Sequence, residues 1–437
     1  MTKYIKETEN LLGFIEKSPS SFHVIENLKD EFLKKGYTQL FEGDKWNVKH
    51  GEKYFVIRNG SSFMGFNIPK KSFDSYMICA SHSDSPSFKL KPDFEAEASG
   101  LYVKFNVEKY GGMIYSSWLD RPLSVAGRVV YADKKGITSS IVNIDRDLCL
   151  IPSLAIHMNK EANSGYALNP QKDMLPLSGS IATKGALLME IASSLKIDAD
   201  AIIDYDLFLY NRTESKIWGT ENEYFSSSRI DDLQCVYSSK SAFLEVENQK
   251  AMNIISVFDN EEVGSGTKQG AMSTFLTDTL ERLCESLKIS SSEFKQITSN
   301  SFILSADNGH ALHPNYPEKN DITSFPTLNG GVLIKYNANQ QYTTDGVSGA
   351  IFKEILKKND IPYQAYVNRS DIPGGSTLGN LLNRHLSVNS IDIGAPQLSM
   401  HSAYETAGVK DTTYLIDAIK AFYNTEIKAD KNGYKIK

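Results

Sequence analysis

Met252-Asn253-Ile254-Ile255-Ser256-Val257-Phe258, running directly into Asp259-Asn260-Glu261-Glu262-Val263-Gly264-Ser265, decides the fold of this 437-residue chain. The first half is an apolar run that reads as a buried strand. It ends in two adjacent carboxylates, Glu261 and Glu262. Side-by-side negative charges at the end of a buried strand are costly, and they require either a cation or an added proton. A metal centre supplies the cation. One glutamate then serves as ligand, and its neighbour is free to act as general base on a water. Gly264 and Gly266 allow the backbone to approach a small ligand closely.

Two other segments repeat the pattern. Tyr76-Met77-Ile78-Cys79-Ala80 delivers His82 and Asp84 at its end, and Phe302-Ile303-Leu304 leads to Asp307. Open α/β sheets place their ligand sites beyond the carboxyl ends of strands. The expected fold is therefore α/β.

The rest of the chain fits around that sheet. Residues 9–35 read as helices, broken at Ser18-Pro19-Ser20, with Ser20 or Ser21 as a cap and Gly36 as the stop. Residues 54–58 and 62–66 read as strands, joined by the hairpin signal Asn59-Gly60. Residues 93–215 change texture to alternating strand-like segments, with one helical stretch near 184–196. They are expected to form an inserted, mostly β domain, which leaves 1–92 and 216–437 as a discontinuous catalytic domain. Helices are expected at 276–287 and 347–356 and within 404–423, and the charged tail at 428–437 reads as frayed.

Histidines and carboxylates carry the chemistry. His82 and Asp84 lie two apart, so on an extended segment they point the same way. The aspartate can then accept the imidazole's second N–H and fix its tautomer. Asp231 or Asp232 can bridge two metals, and Asp232 can equally cap the helix beginning near Leu233. His310 and His313 can each be a substrate contact, a support for a ligand or a core residue. Counting His82, Asp231, Glu262, Asp307 and His401, with a bridging carboxylate and a bridging water, gives two roughly tetrahedral sites of mixed N/O donors. Zn2+ suits such sites best, with Co2+ or Mn2+ as substitutes.

Composition excludes other classes. A net charge of −6 argues against nucleic acid or an anionic membrane as partner. Cys79, Cys149, Cys235 and Cys284 are widely spaced, which argues against a zinc ribbon or a disulfide framework. No run is apolar for the ~18 residues a membrane span needs. The charged N-terminus shows no signal-peptide pattern, so a cytoplasmic location is expected.

Taken together, these segments resemble the aspartyl aminopeptidase family, metallopeptidase family 18. The resemblance runs from Ser18-Pro19-Ser20-Ser21-Phe22-His23 through Ser81-His82-Ser83-Asp84-Ser85-Pro86, Tyr110-Gly111-Gly112, Trp118-Leu119-Asp120-Arg121 and Ala126-Gly127-Arg128-Val129. It continues through Asp259-Asn260-Glu261-Glu262-Val263-Gly264-Ser265, Ser305-Ala306-Asp307, His313-Pro314-Asn315-Tyr316 and Met400-His401-Ser402, so it covers nearly the whole chain. It implies an aminopeptidase that removes N-terminal residues from peptides, acidic ones preferred in the best-known cases. It also implies a three-layer α/β/α catalytic domain of zinc-peptidase type, with two zinc ions per subunit. His82, Glu262, Asp307 and His401 would be terminal ligands, Asp231 would bridge, and Glu261 would be the base. The same resemblance makes the insert a dimerisation domain, with dimers assembling into a tetrahedral dodecamer. His157 would complete a neighbouring subunit's site, with a core histidine on an apolar strand as the alternative. Lys335 would stand near the pocket for the substrate side chain, although an internal salt bridge would satisfy it equally well. The rivals are a deacylase or carboxypeptidase on the same metal pair, and a non-catalytic assembly protein with a relic site.

Overall fold

Four parallel strands, Met252–Phe258, Tyr76–His82, Phe302–Ala306 and Asn389–Gly394, form the centre of a nine-stranded sheet. The structure is a computed structural model and describes residues 1–437 apart from 135, 247–249, 432 and 437. The sheet is extended on one side by Ser62–Asn67, Lys53–Arg58 and Thr38–Leu40, and on the other by Val332–Tyr336 and Tyr363–Val367.

Alternation along each central strand divides its side chains between two cores. Met77, Cys79, Ile255 and Val257 face one; Tyr76, Ile78, Met252, Ile254 and Phe258 face the other. Helices Thr2–Glu16, Ser21–Lys34, Ile230–Glu245, Gly346–Lys358 and Asp411–Asn424 cover the first face. Phe275–Ser286, Ser291–Ser299 and Leu378–Leu382 cover the second. The result is the expected α/β/α sandwich. Each fully buried Ile, Val or Phe in it contributes about 1.5–3 kcal/mol of burial free energy. Asn59 and Gly60, both at positive φ, turn the hairpin that the sequence signalled.

A second body is a six-stranded antiparallel sheet of Gly136–Asn143, Leu123–Asp133, Ile202–Asn211, Ser87–Ala98, Tyr102–Tyr110 and Leu177–Ser180. Helix Ala186–Leu195 packs into its separate core through Leu187 and Ile191. The expected boundary at residue 93 falls inside strand Ser87–Ala98, because the chain passes from the His82 loop straight into this sheet.

Two local expectations fail, at the tail and at the Ser20 cap, while the helix expected within 404–423 is Asp411–Asn424, preceded by the strand Glu405–Gly408. That strand belongs to a small sheet ordered Lys216–Trp218, Tyr224–Ser227, Glu405–Gly408, Pro396–Leu398, Gly309–His310, whose short strands gave no periodic signal. The charged tail is a hairpin of Ile427–Asp430 and Gly433–Ile436, anchored by the apolar side chains of Ile427 and Ile436; residues 432 and 437 of that tail lie outside the described residues. Ser20 does occupy the N-cap, but its hydroxyl pairs with His23 Nδ1 at 2.8 Å instead of capping the helix.

Candidate metal centre

Three adjacent parallel strands end at one place. His82 closes its strand in register with Phe258, Glu261 and Glu262 follow Phe258 in a short 3-10 turn, and Asp307 follows Phe302–Ala306. The small sheet supplies the remainder. Asp231 lies just beyond Tyr224–Ser227, and His401 sits in the turn between Pro396–Leu398 and Glu405–Gly408. Arg229, Asn260 and His401 take left-handed φ values of 58°, 61° and 65°, the kind of backbone that clusters at functional sites.

Asp231 stands between the two histidines. Its Oδ1 is 3.5 Å from His82 Nε2, and its Oδ2 is 3.3 Å from His401 Nε2. Glu262 Oε2 is 3.4 Å from the same His401 nitrogen. Donors about 2.0–2.1 Å from one tetrahedral ion stand about 3.4 Å apart. Three groups of side chains bring donor atoms within 4.8 Å of one another: His82, Asp231 and Asp307; Asp231, Glu262 and His401; and His82, Glu261 and Glu262. Asp231 belongs to the first two. Asp231 Oδ1 and Glu262 Oε1 are buried without hydrogen-bond partners. The donor set, the spacing and the orphaned oxygens fit a pair of divalent cations.

Charge leads to the same conclusion. Burial pushes the carboxyls of Glu262 and Asp307 above their ordinary range, and Glu261 up to about 8, with the neighbouring carboxylates adding to the effect. Burial acts the same way on Asp231, but the His401 and His82 imidazoles facing its two oxygens outweigh it and hold that carboxyl low. Burial opposes a charge on His82, yet Asp232 and Asp231 draw its pKa up. Lys335 Nζ, 3.1 Å from Asp307 Oδ1 and 2.7 Å from Asn308 O, is the one lysine or arginine lining the adjoining cavity. The cluster is short of positive charge, and bound cations would relieve it.

Supports differ in part from the expectation. His82 Nδ1 pairs with the main-chain carbonyl of Asp84 at 3.1 Å, and the Asp84 carboxylate is farther away at 3.4 Å. That carboxylate instead accepts the N–H groups of Glu261 and Glu262 and the Tyr110 hydroxyl, so it holds the glutamate turn. Asp232 is in none of these groups and no side chain caps its helix; its Oδ2 accepts His82 N–H at 3.1 Å. Lys335 takes the internal salt bridge.

A cavity of about 240 Å³ opens beside the cluster, lined by Glu261, Asp307, His310, Lys335, Met400 and His401. His310 stands exposed at its rim. His313 is one strand-end further along, beside Tyr316, with Nδ1 accepting Asn315 N–H. His157 is not at this cluster, nor on an apolar strand: it lies exposed in an irregular segment of the second body.

Sequence reasoning missed Glu405. Its carboxylate, 2% exposed as a residue, accepts Asp231 N–H at 3.1 Å, His401 N–H at 2.8 Å and Gln397 Nε2 at 3.2 Å, tying two metal-ligand candidates to one anchor. Asn308 was also missed; it donates to Ile230 O, Gln234 and Gln397. Neither stands out in the sequence, since Asn308 lies between Asp307 and Gly309 and Glu405 between Tyr404 and Thr406. Gly111 allows the close approach of Glu262: a Cβ there would lie 3.1 Å from Glu262 Cβ, at φ +76°.

Residues 14–423 match the family described as "Aminopeptidase I zinc metalloprotease (M18)". The chain is 44% identical over 432 residues to a "Probable M18 family aminopeptidase 2" of Clostridium novyi, covering 97% of this chain and 100% of that protein. It is 36% identical over 445 residues to "Aspartyl aminopeptidase 1" of Schizosaccharomyces pombe, covering 95% and 94%. Among solved structures, the mApe1 dodecamer of S. cerevisiae superposes with a TM-score of 0.86 at 27% identity, covering 96% of this chain and 97% of that one.

Proposed function

This chain belongs to the M18 family of zinc aminopeptidases, a family of metallo-hydrolases, and on that premise we propose that it removes the N-terminal residue of peptides at a two-cation site with Glu261 as general base. The observation that carries the reading is Asp231, whose two carboxylate oxygens face the two histidines on opposite sides. Zinc would be held by His82, Asp307 and Asp231 on one side and by Glu262, His401 and Asp231 on the other, with Co2+ or Mn2+ as substitutes. Bound there, the cations would acidify a water and polarise the scissile carbonyl.

The chain's own residues do the rest. Glu261 borders both the cluster and the substrate cavity, so its carboxylate is placed to take a proton from the attacking water and return it to the leaving amine. Asp84 fixes that turn through two N–H bonds and so fixes where the proton is held. The substrate's first side chain enters the 240 Å³ cavity, with His310 at its rim. Lys335 is the cavity's ammonium and favours an acidic residue there, although the same nitrogen also braces Asp307. Its replacement is therefore expected to affect both substrate preference and the metal centre.

The exposed segment around His157 carries Leu154 (55% exposed), Ile156 (50%) and Met158 (74%), a hydrophobic surface suited to a second copy. We place the dimer contact there and His157 in the partner's site. The proposed assembly is a tetrahedral dodecamer; its twelvefold count is supported by the mApe1 dodecamer. No helix among the described residues is long and apolar enough to cross a membrane, all four cysteines are free and buried, and the assigned location is the cytoplasm.

The test is a panel of amino-acyl anilides and N-acyl amino acids, run on protein whose zinc content is measured. Cleavage of the anilides, acidic ones foremost, with about two zinc ions per chain is the expected result. Hydrolysis of the N-acyl amino acids alone would make the chain a deacylase. Full activity without metal would end the proposal.

A further inference from the structure

A second cavity, of about 340 Å³, lies between the α/β domain and the antiparallel sheet, on the far side of Asp231 from the substrate pocket. Asp231 is the single lining residue the two cavities share. Its size is within the range of small-molecule sites, and nothing in the proposed mechanism uses it.

Its lining contains unmatched polar groups of both signs. Arg229 has one hydrogen bond, from Nη2 to Ile15 O at 3.1 Å, and its guanidinium lies 5.9 Å from the Tyr210 ring. Arg229 Nε is buried with no acceptor, and so is Trp118 Nε1 on a residue only 4% exposed. The nearby Glu405 carboxylate is already engaged by Asp231 N–H, His401 N–H and Gln397. Among the described residues, then, a half-buried guanidinium whose Nε is buried and an indole N–H line the cavity with no carboxylate bound to them. Asp259 also lines it, 4% exposed, accepting the N–H of Asn260. Of the other cations lining the cavity, Arg128 and Lys89 are committed to Asp206 at 2.7 Å each, and Lys268 is exposed. Phe22, Phe208 and Leu209 complete the lining with apolar surface.

Two N–H groups without acceptors and a buried carboxyl on one cavity are costly unless a ligand carries the complementary groups. We propose that this cavity binds a free α-amino acid as its zwitterion: carboxylate on Arg229 and Trp118, ammonium toward Asp259, and an apolar side chain against Phe22, Phe208 and Leu209. A free amino acid is also what an aminopeptidase releases at each turnover, so the ligand is present wherever the enzyme works.

The experiment is calorimetric titration of L-phenylalanine into the zinc-loaded enzyme whose metal site is filled with L-leucine hydroxamate. Saturable binding is expected. N-acetyl-L-phenylalanine, which lacks the ammonium, and L-phenylalaninamide, which lacks the carboxylate, should each bind about tenfold more weakly or worse. Arg229→Gln should weaken L-phenylalanine by a similar factor, and Arg229→Lys by less. The analogue comparison uses unmodified protein, so it decides even if the Arg229 variants fold poorly. No saturable binding, equal binding of the three compounds, or complete displacement by the hydroxamate would overturn the proposal. None of these results depends on which peptides the enzyme cleaves.

Discussion

Replacing Glu405 by glutamine tests how Asp231 and His401 are held in register within the cluster. The wild-type carboxylate accepts three hydrogen bonds, from Asp231 N–H, His401 N–H and Gln397 Nε2. Glutamine keeps one oxygen but turns an NH2 group toward N–H donors, so at least one buried donor loses its acceptor, at about 1–3 kcal/mol each. Removing the positive-φ turn's anchor frees His401, and the Asp231 backbone loses its counterpart. Outer residues that orient ligands typically alter metal affinity by about 10–100-fold, or about 1.4–2.7 kcal/mol. The assay is zinc competition against a chromophoric chelator, with thermal melting of the zinc-loaded and stripped protein alongside. We expect zinc affinity to fall by that factor, with the stripped protein's melting temperature lowered by a few degrees. Wild-type zinc affinity in a folded Glu405→Gln protein would refute the claim that Glu405 positions the ligands.

Glu261→Gln should keep zinc bound and lower turnover by about 10²–10⁴-fold; unchanged turnover would remove Glu261 from the base role. Lys335→Met should weaken zinc binding, because Asp307 loses its 3.1 Å partner, and should also lower activity on acidic more than on apolar N-terminal residues; wild-type zinc affinity would limit Lys335 to substrate contact. Burial, reinforced by the Arg229 charge, lowers the His23 pKa from 6.5 to about 4. The unfolded chain takes a proton below pH 6.5 that the folded state resists, so stability should fall from pH 6.5 toward 4, by at most about 3 kcal/mol. His23→Gln should flatten that part of the denaturation profile, and an unchanged slope would show that the ring is not held neutral. Gly394→Ala would set a Cβ 1.9 Å from Asp307 O, so it should destabilise the fold and loosen metal binding together, as seen by melting and zinc content.

The central sheet was legible because its parallel strands are buried on both faces and so read as unbroken apolar runs, such as Met252–Phe258. Charged residues directly after such runs marked His82, Glu261, Glu262 and Asp307 without any need for topology. What the sequence could not show depends on contacts between segments far apart. Asp231 and Asp232 are equivalent on paper, and they are separated only by where the His82 main chain and the two imidazoles lie around them. Glu405 sits on a strand too short to have a period, and its role arises from a turn that also holds His401. Asp84 was read as the imidazole's partner from its two-residue spacing, but the chain bends there, so its carbonyl meets the ring while its carboxylate meets the glutamate turn. The start of the antiparallel body was set late because strand Ser87–Ala98 changes from buried to exposed along its length, and only its exposed half changes the texture of the sequence.

The most direct test is a crystal of the zinc-loaded protein measured on both sides of the zinc absorption edge. Two anomalous peaks about 3.5–4 Å apart, one on each side of the Asp231 carboxylate, are the expected result. A single peak, or two with Asp231 bound to neither, would contradict the shared-carboxylate site from which everything else follows.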